Sequence, residues 1–397
     1  MLKLWNLALV FAAFALAVFG TFNVRSGLVE SVHSFALSDV GPYFLVLLGL
    51  TLAASIGLLA WRSGRLRADH EFDSLASRES SIIVNNYLFT AMTLVIFGGT
   101  LFPVFSELVK DSRITVGPPF FNDVVGPMLI ALVLLAAVGT VLPWRRASNA
   151  TLVRRFRTPA AVLAVSVLAL TALGVRDRFA LAVLGAAITL IYVTLREFAL
   201  GTRASRTATR RSWPSAALSL FARDQRRYGG YVVHLGLAVM AIAAVGSNVY
   251  QEQVRVTVAP GESFELGRYS IRYDGLGERT GTANGIETEV VANLEVYDGG
   301  RHVTSLHPGR RFFANFPDQP TALVAVDSGL REDLYVFIQG WDTQGVAEFN
   351  AFVNPLMLWL WVGAGVYVLG GLIAFTPRRA EAPVLATSPA PARAQRA

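Results

Sequence analysis

Five histidines and no cysteine define the chemistry open to this chain of 397 residues. Without thiols there can be no disulfide, thiolate metal site or cysteine nucleophile, so any sulfur chemistry belongs to a partner. The histidines are His33, His70, His234, His302 and His307. His234 stands apart because it lies inside a long apolar run, within Tyr228-Gly229-Gly230-Tyr231-Val232-Val233-His234-Leu235-Gly236-Leu237-Ala238. An imidazole in hydrocarbon is costly unless it faces protein, water or a ligand. Helical spacing places Gly230, His234, Ala238 and Ala241 on one face, small residues that leave room for another helix or a flat macrocycle. Two readings follow. The ring is an axial ligand for haem iron, a role that a neutral imidazole nitrogen fills well, or it is hydrogen-bonded to a carbonyl of a neighbouring helix.

The other four are plainer. His33 follows Arg25-Ser26-Gly27 in a loop between two apolar runs, and composition favours an ordinary loop histidine. His70 follows arginine-rich sequence and reads as solvated. His302 and His307 have no carboxylate or histidine at metal-ligand spacing and read as structural or exposed. No Walker loop, dinucleotide glycine pattern or Ser/His/Asp arrangement is evident, so ATP-driven transport and hydrolase chemistry lack residues to carry them.

The elements that position His234 are membrane spans. The chain is 53% hydrophobic with a mean hydropathy of +0.47. The apolar runs are 4–22, 42–61, 84–103, 124–143, 159–175, 178–195, 229–248 and 354–375. Each is about long enough to cross a ~30 Å hydrocarbon core. Helices are expected, because lipid-exposed strands would leave backbone groups unpaired and the runs do not alternate. Arg176-Asp177-Arg178 splits the fifth and sixth runs and reads as a tight turn. The first run is too long for a cleavable leader and has no small-residue cleavage site before a soluble chain.

Basic residues orient the spans. One side holds 22 lysines and arginines, and the short loops opposite hold five. The positive-inside rule places the rich side, with both termini, in the cytoplasm. The net charge of +7 is therefore a topology signal and does not point to nucleic acid. The predicted location is the bacterial inner membrane.

Residues 249–353 differ in character. Val254, Val256 and Val258 alternate with Arg255 and Thr257, and Leu334, Val336 and Ile338 alternate with Tyr335 and Phe337. The strand-like run 290–297 enters Asp298-Gly299-Gly300, a hairpin signal. The fold class expected is a polytopic α-helical membrane protein of eight transmembrane helices, with a small antiparallel β domain on the periplasmic side before the last helix. The domains are 1–248 (seven spans), 249–353 (β domain), 354–375 (final span) and 376–397, an Ala/Pro-rich tail read as disordered and cytoplasmic. No internal repeat supports a transporter. Two further stretches are read structurally. Gly117-Pro118-Pro119 turns the chain at the mouth of the fourth span. Ser77 or Ser80 caps the helix of the third.

These stretches, in this order, resemble the C-terminal half of the CcmF/NrfE family of cytochrome c biogenesis haem lyases. The matching motifs are 20–33, with Arg25-Ser26-Gly27 and Ser31-Val32-His33, then 77–86, 114–122 and 229–247. Asp333-Leu334-Tyr335-Val336 and Asn354-Pro355-Leu356 complete the set. The resemblance implies thioether attachment of haem to Cys-x-x-Cys-His apocytochromes. It implies that His33 is one of a pair ligating haem delivered by a CcmE-like chaperone, and that His234 is one of a pair ligating a resident b-type haem (haem b). It also implies a CcmH-like thiol protein and apocytochrome c as partners, quinol as an electron source and membrane lipid around the spans. The family's Trp-rich segment, its first outer histidine and its other intramembrane histidine belong to an N-terminal half not found here. The expectation is that this chain alone is an incomplete lyase, either one part of a split protein or a truncated one. The alternatives are a haem or solute transporter subunit and a non-catalytic assembly scaffold.

Overall fold

The computed structural model describes residues 3–28, 40–66, 74–144, 146–280, 286–313 and 316–376. The chain forms two compact units, Met1–Ala164 and Val165–Ala397. Eight helices among the described residues are long and apolar enough to cross a membrane, as the eight runs predict.

The first unit contains α1 (Lys3–Ser26), α2 (Gly41–Arg62), α3 (Arg78–Lys110), α4 (Pro118–Val141) and the first part of α5 (Asn149–Ala172). Helix α3 begins well before its apolar run because Ser77 caps it, its side chain accepting from the Ser80 amide. Arg78 then reaches the end of α4. Its Nε donates to the Gly139 carbonyl (3.0 Å), its guanidinium to the Thr140 carbonyl (2.8 Å) and its amide to the Pro143 carbonyl (2.8 Å). Carbonyls that a helix leaves unsatisfied at its C-terminus are thus met by a cation, which also suits the helix dipole. Pro118 and Pro119 do more than turn the chain, since they form the first turn of α4, where a missing amide proton costs nothing.

Among the described residues the second unit contains the remainder of α5, then α6 (Arg178–Thr209), α7 (Trp213–Arg223) and α8 (Gln225–Val249), ten strands, and α9 (Met357–Phe375). Asp177 caps α6 by accepting from the Ala180 amide, and Gly174 takes φ +97° in the tight turn before it.

The strands form two antiparallel sheets. One has the order β1 (Glu252–Val258), β10 (Ala347–Pro355), β9 (Glu332–Trp341), β8 (Ala325–Ser328). The other runs β2 (Ser263–Leu266), β3 (Tyr269–Thr280), β4 (Ile286–Asp298), β6 (Gly309–Phe313), β7 (Phe316–Leu323), with β5 (Arg301–Leu306) paired to β4. Alternation fills the space between them. Ile271, Tyr273, Leu294 and Val296 from one sheet and Leu334, Val336, Ile338 and Phe349 from the other are essentially buried. Gly299 and Gly300 take φ +57° and +82° in the two-residue turn joining Asp298 to Arg301, as a primed turn requires. Asn354 and Pro355, given to the last span by their place in the apolar run, are instead the end of β10, where Asn354 pairs with Asp333 and Pro355 with Glu332. The residues of the tail from 377 onward lie outside the described residues.

Candidate functional site

Helix α8 carries His234 and packs against both α9 and α6. Its two packed faces follow from residues seven apart. On one, Gly229 and Gly236 meet Gly370 and Gly363 of α9. A Cβ on Gly236 would lie 2.7 Å from the Gly363 carbonyl oxygen, and one on Gly229 would lie 2.8 Å from that of Gly370. Only glycine permits this backbone contact, so four glycines fix how closely the two helices approach. On the other face Tyr231, Ala238 and Val245 are buried.

The Tyr231 end of that second face is anchored to α6 and α7. The rings of Tyr228 and Tyr231 lie 5.4 and 5.7 Å from that of Phe198, and Phe221 of α7 closes the cluster at 5.9 Å from Phe198. Arg227 lies over both tyrosine rings, donates to the Tyr231 hydroxyl (3.0 Å) and pairs with Glu197 of α6 (2.9 Å). Gly201 leaves room for the Tyr228 hydroxyl, which a Cβ there would overlap. Charge, aromatic faces and apolar contact therefore lock the start of α8.

His234 is not among the fully buried residues of α8. It is half-buried on a flank of α8, with Gly230 one turn before it and Ala241 two turns after. A Cβ added to Gly230 would meet no atom within 4 Å, so this flank is open. Ala238, expected on the same face, turns instead into the buried face because it shares the stripe of Tyr231 and Val245. His234 has an interaction within this chain, and where that contact uses one ring nitrogen, iron would take the other. A flat apolar ligand held by this imidazole would lie over the uncovered position at Gly230, and any second axial ligand would come from another residue. Among the described residues no group of three or more His, Asp or Glu side chains could hold a metal ion.

The other histidines separate by position. His33 and His70 lie outside the described residues. His307 is exposed. His302 is exposed, as read from the sequence, and has one carboxylate partner. The β4–β5 register brings its Nε2 to 2.6 Å from Glu295, whose carboxylate also accepts from the Ser305 hydroxyl at 2.8 Å. That partner is set by strand pairing, which linear spacing does not show.

Among the described residues, eight long apolar helices with an antiparallel sandwich inserted before the last define a polytopic membrane protein carrying a folded extramembrane domain. Residues 249–355 match the family CcmF_C, the CcmF C-terminal beta-sandwich. The chain is 35% identical over 384 residues to the cytochrome c-type biogenesis protein ccl1 of Rhodobacter capsulatus, covering 95% of this chain and 56% of that protein. It is 32% identical to the cytochrome c-type biogenesis protein CcmF of Pseudomonas aeruginosa, covering 95% and 56%. A solved structure of "Cytochrome c Heme Lyase CcmF" superposes with a TM-score of 0.70 at 26% identity, covering 94% of this chain and 55% of that one. The likeness to the CcmF family read from the motifs is thus borne out by both sequence and fold. The chain spans a little over half the length of these relatives.

Proposed function

We propose that this chain is part of a haem lyase for cytochrome c maturation, with His234 an axial ligand of a resident b-type haem. The observation that carries this reading is the half-buried His234 on a membrane-spanning helix, beside the open flank at Gly230. The bound haem would supply single electrons to keep the incoming haem ferrous. The chain's own residues position and protect. The glycine seam to α9 and the Arg227 cluster hold α8 at a fixed angle, so the imidazole is placed by backbone packing and not by its own rotamer alone. A second axial ligand and the remainder of the lyase would come from the sequence that longer relatives carry.

The incoming haem is substrate. His33 is proposed to hold it on the periplasmic face after transfer from a CcmE-like chaperone. Each thioether then forms by adding a cysteine S–H across a haem vinyl group. The sulfur bonds one vinyl carbon, the hydrogen goes to the other, and nothing is oxidised overall. The absence of cysteine in this chain suits that scheme, since the apocytochrome supplies both thiols. The sandwich side is periplasmic and both termini are cytoplasmic in this proposal, on the strength of the arginine distribution.

The test separates the two histidines. His33→Ala should abolish maturation of a reporter cytochrome c while the membrane-bound haem spectrum persists. Normal maturation in that variant would return His33 to an ordinary loop role.

A further inference from the structure

We infer that the β8–β9 turn, at Leu330 and Arg331, is a membrane-interface anchor that seats the sandwich on the phospholipid headgroups. The argument starts from the length of α9. Its 19 residues span about 28 Å at ~1.5 Å per residue, no more than the ~30 Å hydrocarbon core. Arg378 and Arg379 follow closely in sequence, so the helix has no spare turn to raise its first residues clear of the interface. Trp359, in that first turn, is placed at the boundary.

The β8–β9 turn is fastened to the same level. The Trp359 indole donates to the Leu330 carbonyl at 2.9 Å, and the Leu356 amide donates to the Arg331 carbonyl at 2.8 Å. No linker separates strand from helix. Pro355 is still paired to Glu332 in the sheet, and Leu356 alone, in the left-handed conformation at φ 62°, turns the chain into α9. The turn therefore cannot drift from the span.

What the turn presents suits a bilayer boundary. The Leu330 side chain meets little of the protein, being 74% exposed, and Trp361, two residues beyond Trp359 on α9, is 70% exposed. Arg331 is also free of tight pairing, with its nearest carboxylate, Glu332, 3.9 Å away. An apolar tip beside an arginine and interfacial tryptophans matches the gradient from acyl chain to phosphate. The occupant is lipid because the turn is tied to the start of a helix of membrane-spanning length whose side away from α8 exposes Trp361, Val368 and Leu372. The inference depends on α9 crossing the membrane and not on haem binding.

The absence of cysteine makes the test direct. Leu330→Cys, Arg331→Cys and Thr343→Cys would each carry one nitroxide in the full chain, reconstituted into vesicles of phosphatidylethanolamine and phosphatidylglycerol. Thr343 lies beyond the other end of β9, about 30 Å from Glu332 at ~3.3 Å per residue. The label at 330 should collide more with oxygen than with a water-soluble nickel chelate, that at 343 the reverse, and that at 331 should fall between. A label at 330 as open to the nickel chelate as the one at 343 would overturn the anchor. So would one immobilised and sheltered from both, which would mean a protein covers the turn.

Discussion

Gly236 of α8 and Gly363 of α9 are in backbone contact, each leaving no room for a Cβ beside the carbonyl oxygen of the other. Gly236→Val should force the helices apart. Overpacking of this kind costs roughly 1–3 kcal/mol. A lower thermal midpoint in detergent is expected, with loss of any ligand whose seat depends on the angle of α8. An unchanged midpoint would mean that the seam is not a constraint.

Gly230 is the contrasting case. It lies on the same helix with open space where its side chain would be. Gly230→Leu should leave stability unchanged or raise it, since leucine favours a helix interior over glycine by up to about 1 kcal/mol. The same substitution fills the flank beside His234, so haem retained on purification should fall severalfold. Full retention would remove the flank from the proposed site.

The sandwich should show a local acid sensitivity. The Ser305 hydroxyl, and then the His302 ring, hold Glu295 below the usual carboxylate range against an opposing effect of burial. A depressed folded-state value means stability that is present above the unfolded carboxylate pKa of about 4.3 and lost as pH falls through the folded value. Ser305→Ala raises that folded value toward the ordinary one. The variant should lose the β4–β5 hairpin at a higher pH than the parent, followed by pulsed hydrogen exchange at one labelling pH. Coincident acid midpoints would show that the hydroxyl does not act on Glu295.

The spans were legible because their length and apolarity leave no other fold in a bilayer, and the strands because valines and leucines alternate. What was not legible depends on partners distant in sequence. Arg78 looks like one more loop arginine until α4, some sixty residues on, presents its terminal carbonyls. Helix α7 is hard to read from sequence because it has only 11 residues, of which Ala216 and Leu220 are buried. Spacing from His234 predicts Ala238 beside it, yet the spacing of seven from Tyr231 decides where Ala238 packs. His302 met Glu295 through hairpin register. The glycines of α8 were visible, but their use as a seam needed the matching pair seven apart on α9.

The central claim is that the His234 imidazole coordinates haem iron inside the membrane. The most direct measurement is the reduced-minus-oxidised optical spectrum of the chain, purified in mild detergent after co-production with the segment that longer relatives carry. The parent protein should show a low-spin b-type haem, and His234→Ala should lose it while still assembling at the parental level. An unchanged haem spectrum in a well-assembled His234→Ala protein would contradict the assignment.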